Sequence, residues 1–252
     1  MPEPDKKLDN LRCPGPGEVQ IWFAHVDLNP EVLRELDATL SQRERDRANR
    51  FAFERLKVRY TFAQGVLRDV LSRATGVAPA EIEFTGNLYG KPFLRSGSGM
   101  AALQFNLSHS ADLVAVGLMQ QRAIGVDVEY MRPVLDLNSV AEENYTPGEF
   151  GSMLEIPGQA RKMALFFRYW TRKESYIKAV GKGLSIPLNT FDTRFDAGAR
   201  GKKLGRTFDA PQVESWWIED LSPPAGYAAA VTVEKGLESI EYFEWKPRSQ
   251  AR

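Results

Sequence analysis

The sequence predicts an α+β fold of two similar lobes, and three observations carry that expectation. Short apolar runs suited to strands alternate irregularly with long stretches of helical spacing, which is not the order of repeated βαβ units. Each half of the chain contains several such runs and one dominant helix. The length, 252 residues, is roughly 1.7 domains at about 150 residues each, enough for two fused half-size units. The expected division is a loose leader at 1–17, an N-terminal lobe at 18–122 and a C-terminal lobe at 123–252, the two lobes forming one unit.

Residues 1–17 hold four prolines and two glycines among charges, without apolar periodicity, hence the leader. Val19 to Val26 reads as a first strand. Asn29-Pro30 opens a helix with Val32, Leu33, Leu36 and Leu40 at helical spacing, and Ser41 is the expected cap of the next segment. A longer helix spans about Arg55 to Ala74, with Val58, Phe62, Val66, Leu67 and Leu71 inward, and ends at Gly76. Ile82 to Phe84 and Ala102 to Leu107 read as strands flanking a Gly- and Ser-rich loop that contains Tyr89-Gly90-Lys91-Pro92, and Leu113 to Met119 as another. In the second half, Ile124 to Glu129 is a strand and a helix from about Ala160 to Val180 stops at Gly181-Lys182-Gly183. Phe191 to Phe195, Val213 to Ile218, Tyr227 to Val233 and Ile240 to Trp245 are further strand candidates.

Composition narrows the functional classes. Lys plus Arg equals Asp plus Glu at 33 each, so attraction for polyanions has to come from local clusters, which argues against nonspecific nucleic-acid binding. Cys13 is the lone cysteine, which excludes an internal disulfide framework and a multi-cysteine metal site and points to a reducing compartment. Met1 to Lys7 lacks a basic start followed by an apolar run, and no stretch approaches the ~18 apolar residues of a membrane span. The expected location is the cytoplasm, with no membrane partner.

Chemistry concentrates in two segments. In Ile124-Gly125-Val126-Asp127-Val128-Glu129, strand alternation sends Ile124, Val126 and Val128 one way and Gly125, Asp127 and Glu129 the other. The two acids stand roughly 6.6 Å apart along the strand, within reach of one hard cation such as magnesium or manganese, which takes one or two protein carboxylates plus phosphate oxygens and water. An acidic solvent face on a half-exposed strand accounts equally well for this segment taken alone. In Trp170-Thr171-Arg172-Lys173-Glu174-Ser175-Tyr176-Ile177-Lys178, Glu174 and Lys178 lie four apart on the flank of a helix whose apolar stripe is Phe166, Tyr169, Trp170, Ile177 and Val180. Such a pair is also ordinary surface decoration. Lys173 projects near the middle of the stripe, where an ammonium is costly without an anion, so a ligand phosphate is the expected partner.

Asn106-Leu107-Ser108-His109-Ser110 ends a strand with hydroxyls and one of two histidines, a group able to bind phosphate or merely to form a turn. The run Arg43, Arg45, Arg47, Arg50, continued by Arg55 and Arg59, is interleaved with Glu44, Asp46 and Glu54; it suits a solvated helix face or a phosphate-monoester clamp. No Walker lysine loop or dinucleotide-binding glycine pattern occurs.

Together, these two segments resemble the two signatures of the surfactin-type class of 4'-phosphopantetheinyl transferases. Tyr89-Gly90-Lys91-Pro92, Asn106 to Ser110, the stretch ending Arg50-Phe51, Glu149 after Tyr145-Thr146-Pro147, and Gly181 to Ser185 follow in the order of that family, over about residues 41–190. The resemblance implies a pseudo-dimeric two-lobed fold, each lobe a small antiparallel sheet packed on a long helix, with coenzyme A and magnesium, or manganese, between the lobes. It implies transfer of 4'-phosphopantetheine from coenzyme A to a serine of an acyl or peptidyl carrier protein by a monomeric enzyme, with release of 3',5'-ADP. Asp127, Glu129 and Glu174 would hold the metal; Asp127, Glu174 and Lys178 would be catalytic. Arg47, Arg59 and His109 would bind the 3'-phosphate, Lys91, Pro92 and Ser108 would line the adenosine pocket, and Lys173 and Lys178 would meet the diphosphate. Glu44 stands where many relatives carry a lysine of the 3'-phosphate clamp, which would shift that duty to Arg43 or Arg45. Apolar residues of the 135–156 segment are the expected carrier surface, for a carrier of fatty acid, polyketide or nonribosomal peptide synthesis. A magnesium-dependent phosphoesterase would use the same acids, and a noncatalytic carrier-binding relative would share the fold.

Overall fold

The computed structural model describes residues 12–95, 102–195, 202–203 and 216–250. The first half contains β1 (Glu18–His25), α1 (Pro30–Thr39), α2 (Gln42–Ala48), α3 (Glu54–Thr75), the short hairpin strands β2 (Phe84–Gly86) and β3 (Pro92–Leu94), β4 (Leu103–Ser110) and β5 (Leu113–Gln120). The second contains β6 (Ile124–Tyr130), α4 (Leu137–Asn144), α5 (Pro147–Glu155), α6 (Gln159–Val180), β7 (Lys202–Lys203), β8 (Trp216–Asp220), β9 (Tyr227–Glu234) and β10 (Ser239–Glu244).

Local chemistry sets the helix ends. Asn29 accepts from the Glu31 N–H with Pro30 in the first turn, and Ser41 forms a reciprocal capping box with Glu44. Gly76 and Gly181 close the two 22-residue helices, α3 and α6, with φ of 76° and 72°, a left-handed conformation that a side chain would resist. α4 and α5 are helices that hydrophobic spacing alone misses, because they are short and α5 contains Pro147, Gly148 and Gly151. The legible signal was the second capping box, Thr146 with Glu149.

The chain is α+β, in four layers. One sheet has the order β10-β1-β5-β4 and the other β6-β9-β8-β7. Alternation along β1 sends Trp22 and Ala24 into a core shared with Phe62, Val66 and Val70 of α3. It sends Val19, Ile21 and Phe23 into a second core with Val126, Val128, Val231 and Val233 of the other sheet. Both faces of β1 and β5 are therefore covered, which is why these strands are buried along nearly their whole length and β5 reads as an almost continuous apolar run. α6 covers the outer face of the second sheet, with Tyr176 and Ile177 packed near Ile218 of β8.

Three expectations change, and a fourth lies partly outside the described residues. β10 does not stay with the C-terminal lobe: it pairs in parallel with β1, Glu18 opposite Ser239 through Phe23 opposite Glu244, so the N-terminal sheet is mixed and the 123–252 boundary does not separate two sheets. Phe191 to Phe195 is not a strand, because its backbone groups are taken by side chains: the Thr193 N–H by Glu149, the Thr193 carbonyl by Arg172, and the Phe191 carbonyl by Lys173. Val213 to Ser215 lie outside the described residues, and the strand is described from Trp216. The end of the leader is anchored, Gln20 donating to the Arg12 carbonyl at 3.0 Å and the Gly15 N–H donating to Glu18 at 2.8 Å, whereas residues 1–11 lie outside the described residues. No helix among the described residues is long and apolar enough to cross a membrane.

Gly125 is where α6 meets β6. A Cβ built there would fall on the Ser175 carbonyl oxygen and the Ala179 nitrogen, both backbone atoms of α6, so the position beside the acids is filled by the helix itself. Gly125→Ala should therefore lower stability by about 1–3 kcal/mol, the usual cost of overpacking, read as a shift in the urea midpoint at unchanged slope.

Candidate active site between the sheets

β6 pairs with β9 along one edge only. Its other edge faces β4, and side chains rather than backbone carbonyls receive its N–H groups. Val126 N–H donates to Asn106 Oδ1 at 2.8 Å, Val128 N–H to Ser108 Oγ at 3.3 Å and Tyr130 N–H to Ser110 Oγ at 3.1 Å. Every second residue of β4 meets every second residue of β6, both strands having period two. The serines then hand their protons to the acids: Ser108 Oγ donates to Asp127 Oδ1 at 2.9 Å, and Ser110 Oγ to Glu129 Oε2 at 2.5 Å. Lys178 arrives from α6 and donates to Asp127 Oδ1 at 2.6 Å and Ser108 Oγ at 2.9 Å.

Charge in this cluster is strongly desolvated. Asp127 is 3% exposed; burial raises its carboxyl pKa, opposed by the charge and hydrogen bond of Lys178 and by Ser108. Burial also raises Glu129, against the Ser110 hydrogen bond, and raises Glu174, reinforced by the negative charge of Asp127. His109 is exposed at the end of β4, with its pKa lowered by desolvation and then by the positive charges of Lys178 and Arg59. Asp127 Oδ2 is buried without a hydrogen-bond partner among the described residues. A buried carboxylate oxygen left unsatisfied is costly and marks an open acceptor position. The described residues show no closed group of three metal-ligating side chains, since Asp127 leans on Lys178 and Glu129 on Ser110. An orphan oxygen within an all-carboxylate donor set nevertheless fits a hard divalent cation.

Of the residues expected at the site, Asp127, Glu129, Glu174, Lys178, Ser108 and His109 come together through these contacts and couplings. Lys173 does not join them. It is 0% exposed, paired with the equally buried Glu149 at 2.7 Å, and donates to the Leu188 and Phe191 carbonyls at 2.7 and 2.6 Å. All three ammonium protons are thus engaged within the protein, and the anion that makes this lysine tolerable in an apolar stripe is Glu149 rather than a phosphate.

Lys91 also differs from expectation. Its ammonium donates to the carbonyls of Ile124 and Ala179 at 3.0 and 2.8 Å, while Asn87 Nδ2 donates to the Gly181 carbonyl at 2.7 Å. The β2–β3 hairpin thereby caps the C-terminal end of α6, where positive charge is favoured. Pro92, next in the chain, is exposed. Arg59 donates from Nε and Nη2 to the single oxygen Oδ1 of Asp112 at 3.2 and 2.7 Å, and Arg47 lies over the Tyr60 ring at 5.4 Å, both on the N-terminal side of the site. Glu44 is structural: besides its capping box it receives the guanidinium of buried Arg68 at 2.7 Å, which accounts for an acid at that position. Asn87, Asn106 and Ser110 are contributors that sequence reasoning did not assign. The Asn-x-Ser-x-Ser period of two is the signal for the latter pair.

Comparisons with known proteins place the chain in a family. The family model described as 4'-phosphopantetheinyl transferase superfamily matches residues 123–232, and that of 4'-phosphopantetheinyl transferase, N-terminal, matches 29–120. The chain is 40% identical over 231 residues to the 4'-phosphopantetheinyl transferase HetI of Nostoc sp., covering 92% of this chain and 91% of that protein. It is 30% identical over 203 residues to the 4'-phosphopantetheinyl transferase psf-1 of Bacillus pumilus, 81% and 82% respectively. The transferase Sfp of Bacillus subtilis is 30% identical over 178 residues, 70% of this chain and 76% of that one.

Lys91 gives the inter-lobe contact a pH signature. Burial lowers its pKa to about 8, against about 10.4 for an unfolded lysine. Below pH 8 the ammonium is charged in both states and its desolvation cost is present in full. Between pH 8 and about 10.4 the unfolded chain holds the extra proton, so this group makes stability rise with pH, by on the order of 2 kcal/mol. Denaturant titrations should show the stability of the wild type rising by that amount relative to Lys91→Met from pH 8 to 10.5.

Proposed function

Because the chain belongs to the 4'-phosphopantetheinyl transferase superfamily, we propose that it transfers 4'-phosphopantetheine from coenzyme A to a serine hydroxyl of an acyl or peptidyl carrier protein, releasing 3',5'-ADP. The observation that carries this reading is buried Asp127, its Oδ2 unsatisfied and its Oδ1 bound by Lys178, electrostatically coupled to Glu129 and Glu174. One chain supplies these acids and Lys178 from the C-terminal lobe and Ser108 and His109 from the N-terminal lobe, so the proposed unit is a monomer. The proposed compartment is the cytoplasm, in keeping with the lone unpaired thiol of Cys13.

Asp127, Glu129 and Glu174 would hold magnesium, or manganese in its place, which when bound would neutralise charge on the diphosphate. Lys178, partly exposed beside Asp127, would exchange part of its contact with that carboxylate for diphosphate oxygens, a positioning and electrostatic role. Glu174 would accept the proton of the carrier serine. Its raised pKa makes it a better base near neutral pH than an ordinary carboxylate. The serine oxygen bonds to the β-phosphorus and the bond from that phosphorus to the bridging oxygen breaks, so that the departing 3',5'-ADP carries the electron pair. His109 with Arg59 and Arg47 would meet the 3'-phosphate, and Ser108 and Pro92 would border the adenosine. Lys91 would act there through the hairpin it fastens, its ammonium being used on α6 carbonyls.

Intact-mass analysis of apo carrier proteins incubated with this protein, magnesium and coenzyme A tests the reading. One added phosphopantetheine per carrier is expected, absent with a chelator or with Asp127→Ala. Glu174→Gln should lower kcat by about 10²–10⁴-fold. Full turnover by that variant would remove both roles from Glu174, and absence of both mass gain and coenzyme A binding would overturn the reading.

A further inference from the structure

We propose that Ser110 is a positioning residue that fixes Glu129 for cation binding by transmitting the backbone register of β6 to that carboxylate. The inference rests on the reading of Glu129 as a metal ligand. A hydroxyl has one proton and two lone pairs. Ser110 Oγ accepts the Tyr130 N–H, which orients the hydroxyl, and its single proton goes to Glu129 Oε2. Each acid on β6 is therefore held by a hydroxyl bonded to the N–H of the residue that follows it: Asp127 by Ser108 on Val128, Glu129 by Ser110 on Tyr130.

The two positions are not equivalent. Asp127 is also gripped by Lys178 at 2.6 Å, whereas among the described residues the one hydrogen bond that reaches the Glu129 carboxylate is that of Ser110. Glutamate has a longer side chain with more rotamers to lose, so its placement depends more on a partner than that of aspartate. Ser110 is itself held rigidly. It lies opposite Leu113 across a tight turn whose first residue, Ala111, has φ of 49°, and the turn is fastened by Arg59 on Asp112 and by the Asp112 N–H donating to the Tyr227 hydroxyl. Ser110 thus brings the N-terminal sheet, the C-terminal sheet and one metal-ligand candidate to a single oxygen.

The test is Mn²⁺ binding followed by electron paramagnetic resonance, with coenzyme A present and no carrier protein, so that no turnover contributes. Ser110→Ala should weaken Mn²⁺ binding about 10- to 100-fold, the usual cost of losing an outer partner of a metal ligand. Ser110→Thr, which keeps the hydroxyl, should restore it, and metal-free affinity for coenzyme A should stay within about twofold in both. Glu129→Gln serves as the reference. If it weakens Mn²⁺ binding while Ser110→Ala stays within about twofold of the wild type, the inference is overturned and the ligand reading stands. If Glu129→Gln leaves Mn²⁺ affinity unchanged, the ligand reading fails and takes the inference with it. Loss of coenzyme A affinity in Ser110→Ala equal to its loss of Mn²⁺ affinity would reduce Ser110 to a lobe fastener and overturn the positioning role. Should Ser110→Ala not fold, Ser110→Cys, of similar size and with a weak S–H donor, carries the same comparison.

Discussion

The structure depends on how the inner edge of β6 is satisfied. That strand is the edge of the second sheet, covered on one face by the first sheet and on the other by α6, and among the described residues it pairs with a strand on one side only. The buried N–H groups of Val126 and Val128 on the other side would be orphaned there, each at a free-energy cost comparable to a lost hydrogen bond, while that of Tyr130 lies at the exposed end of the strand. Asn106, Ser108 and Ser110 supply the acceptors, and each does so with a side chain instead of a backbone carbonyl. The consequence is geometric. β4 and β6 stand a side chain's length apart instead of at sheet spacing, and polar groups are admitted to the seam. Register between the lobes is fixed in steps of two residues, so that a slip of one would turn Asp127 and Glu129 into the apolar core.

Around this seam, ionic groups replace apolar packing at several helix contacts. Arg68 with Glu44, Arg172 with Asp220, and Lys173 with Glu149 each place a buried cation against a carboxylate and one or more backbone carbonyls. Arg172 also lies 3.5 Å over the Phe195 ring. Such pairs add little net stability over apolar residues of equal size, but a single missing partner leaves an uncompensated charge. They therefore act as alignment pins. Lys173 immediately precedes Glu174 on α6, so its pairing with Glu149 fixes the rotation of the helix that carries Glu174 and Lys178.

Much of this was legible in residue order. Alternation along Ile124 to Glu129 gave the correct facing of the acids, and the cap residues Asn29 and Ser41 and the stops at Gly76 and Gly181 fell where local chemistry dictates. What escaped was nonlocal. A lysine in an apolar stripe announces that an anion is near but not which one, and Glu149, 24 residues earlier on a different helix, cannot be paired with it by spacing alone. The same holds for Glu44, whose partner Arg68 lies on the next helix, and for Phe191 to Phe195, a strand-like run whose backbone is consumed by side chains from two helices. β10 has ordinary strand composition, and nothing within it names β1 as its neighbour.

The return of β10 to β1 has a consequence for how the molecule is made. β1 emerges early from the ribosome, yet the strand that covers one of its edges follows roughly 220 residues later, a long closure by the standards of small domains. The first sheet is completed only after the second sheet and α6 have been synthesised, and Trp245 and Arg248, just beyond β10, then bind Asp69 on α3. The N-terminal half is therefore not an independent folding unit that waits for a catalytic partner. The last strand stitches the first sheet shut, and the two lobes become one cooperative body with the site already between them.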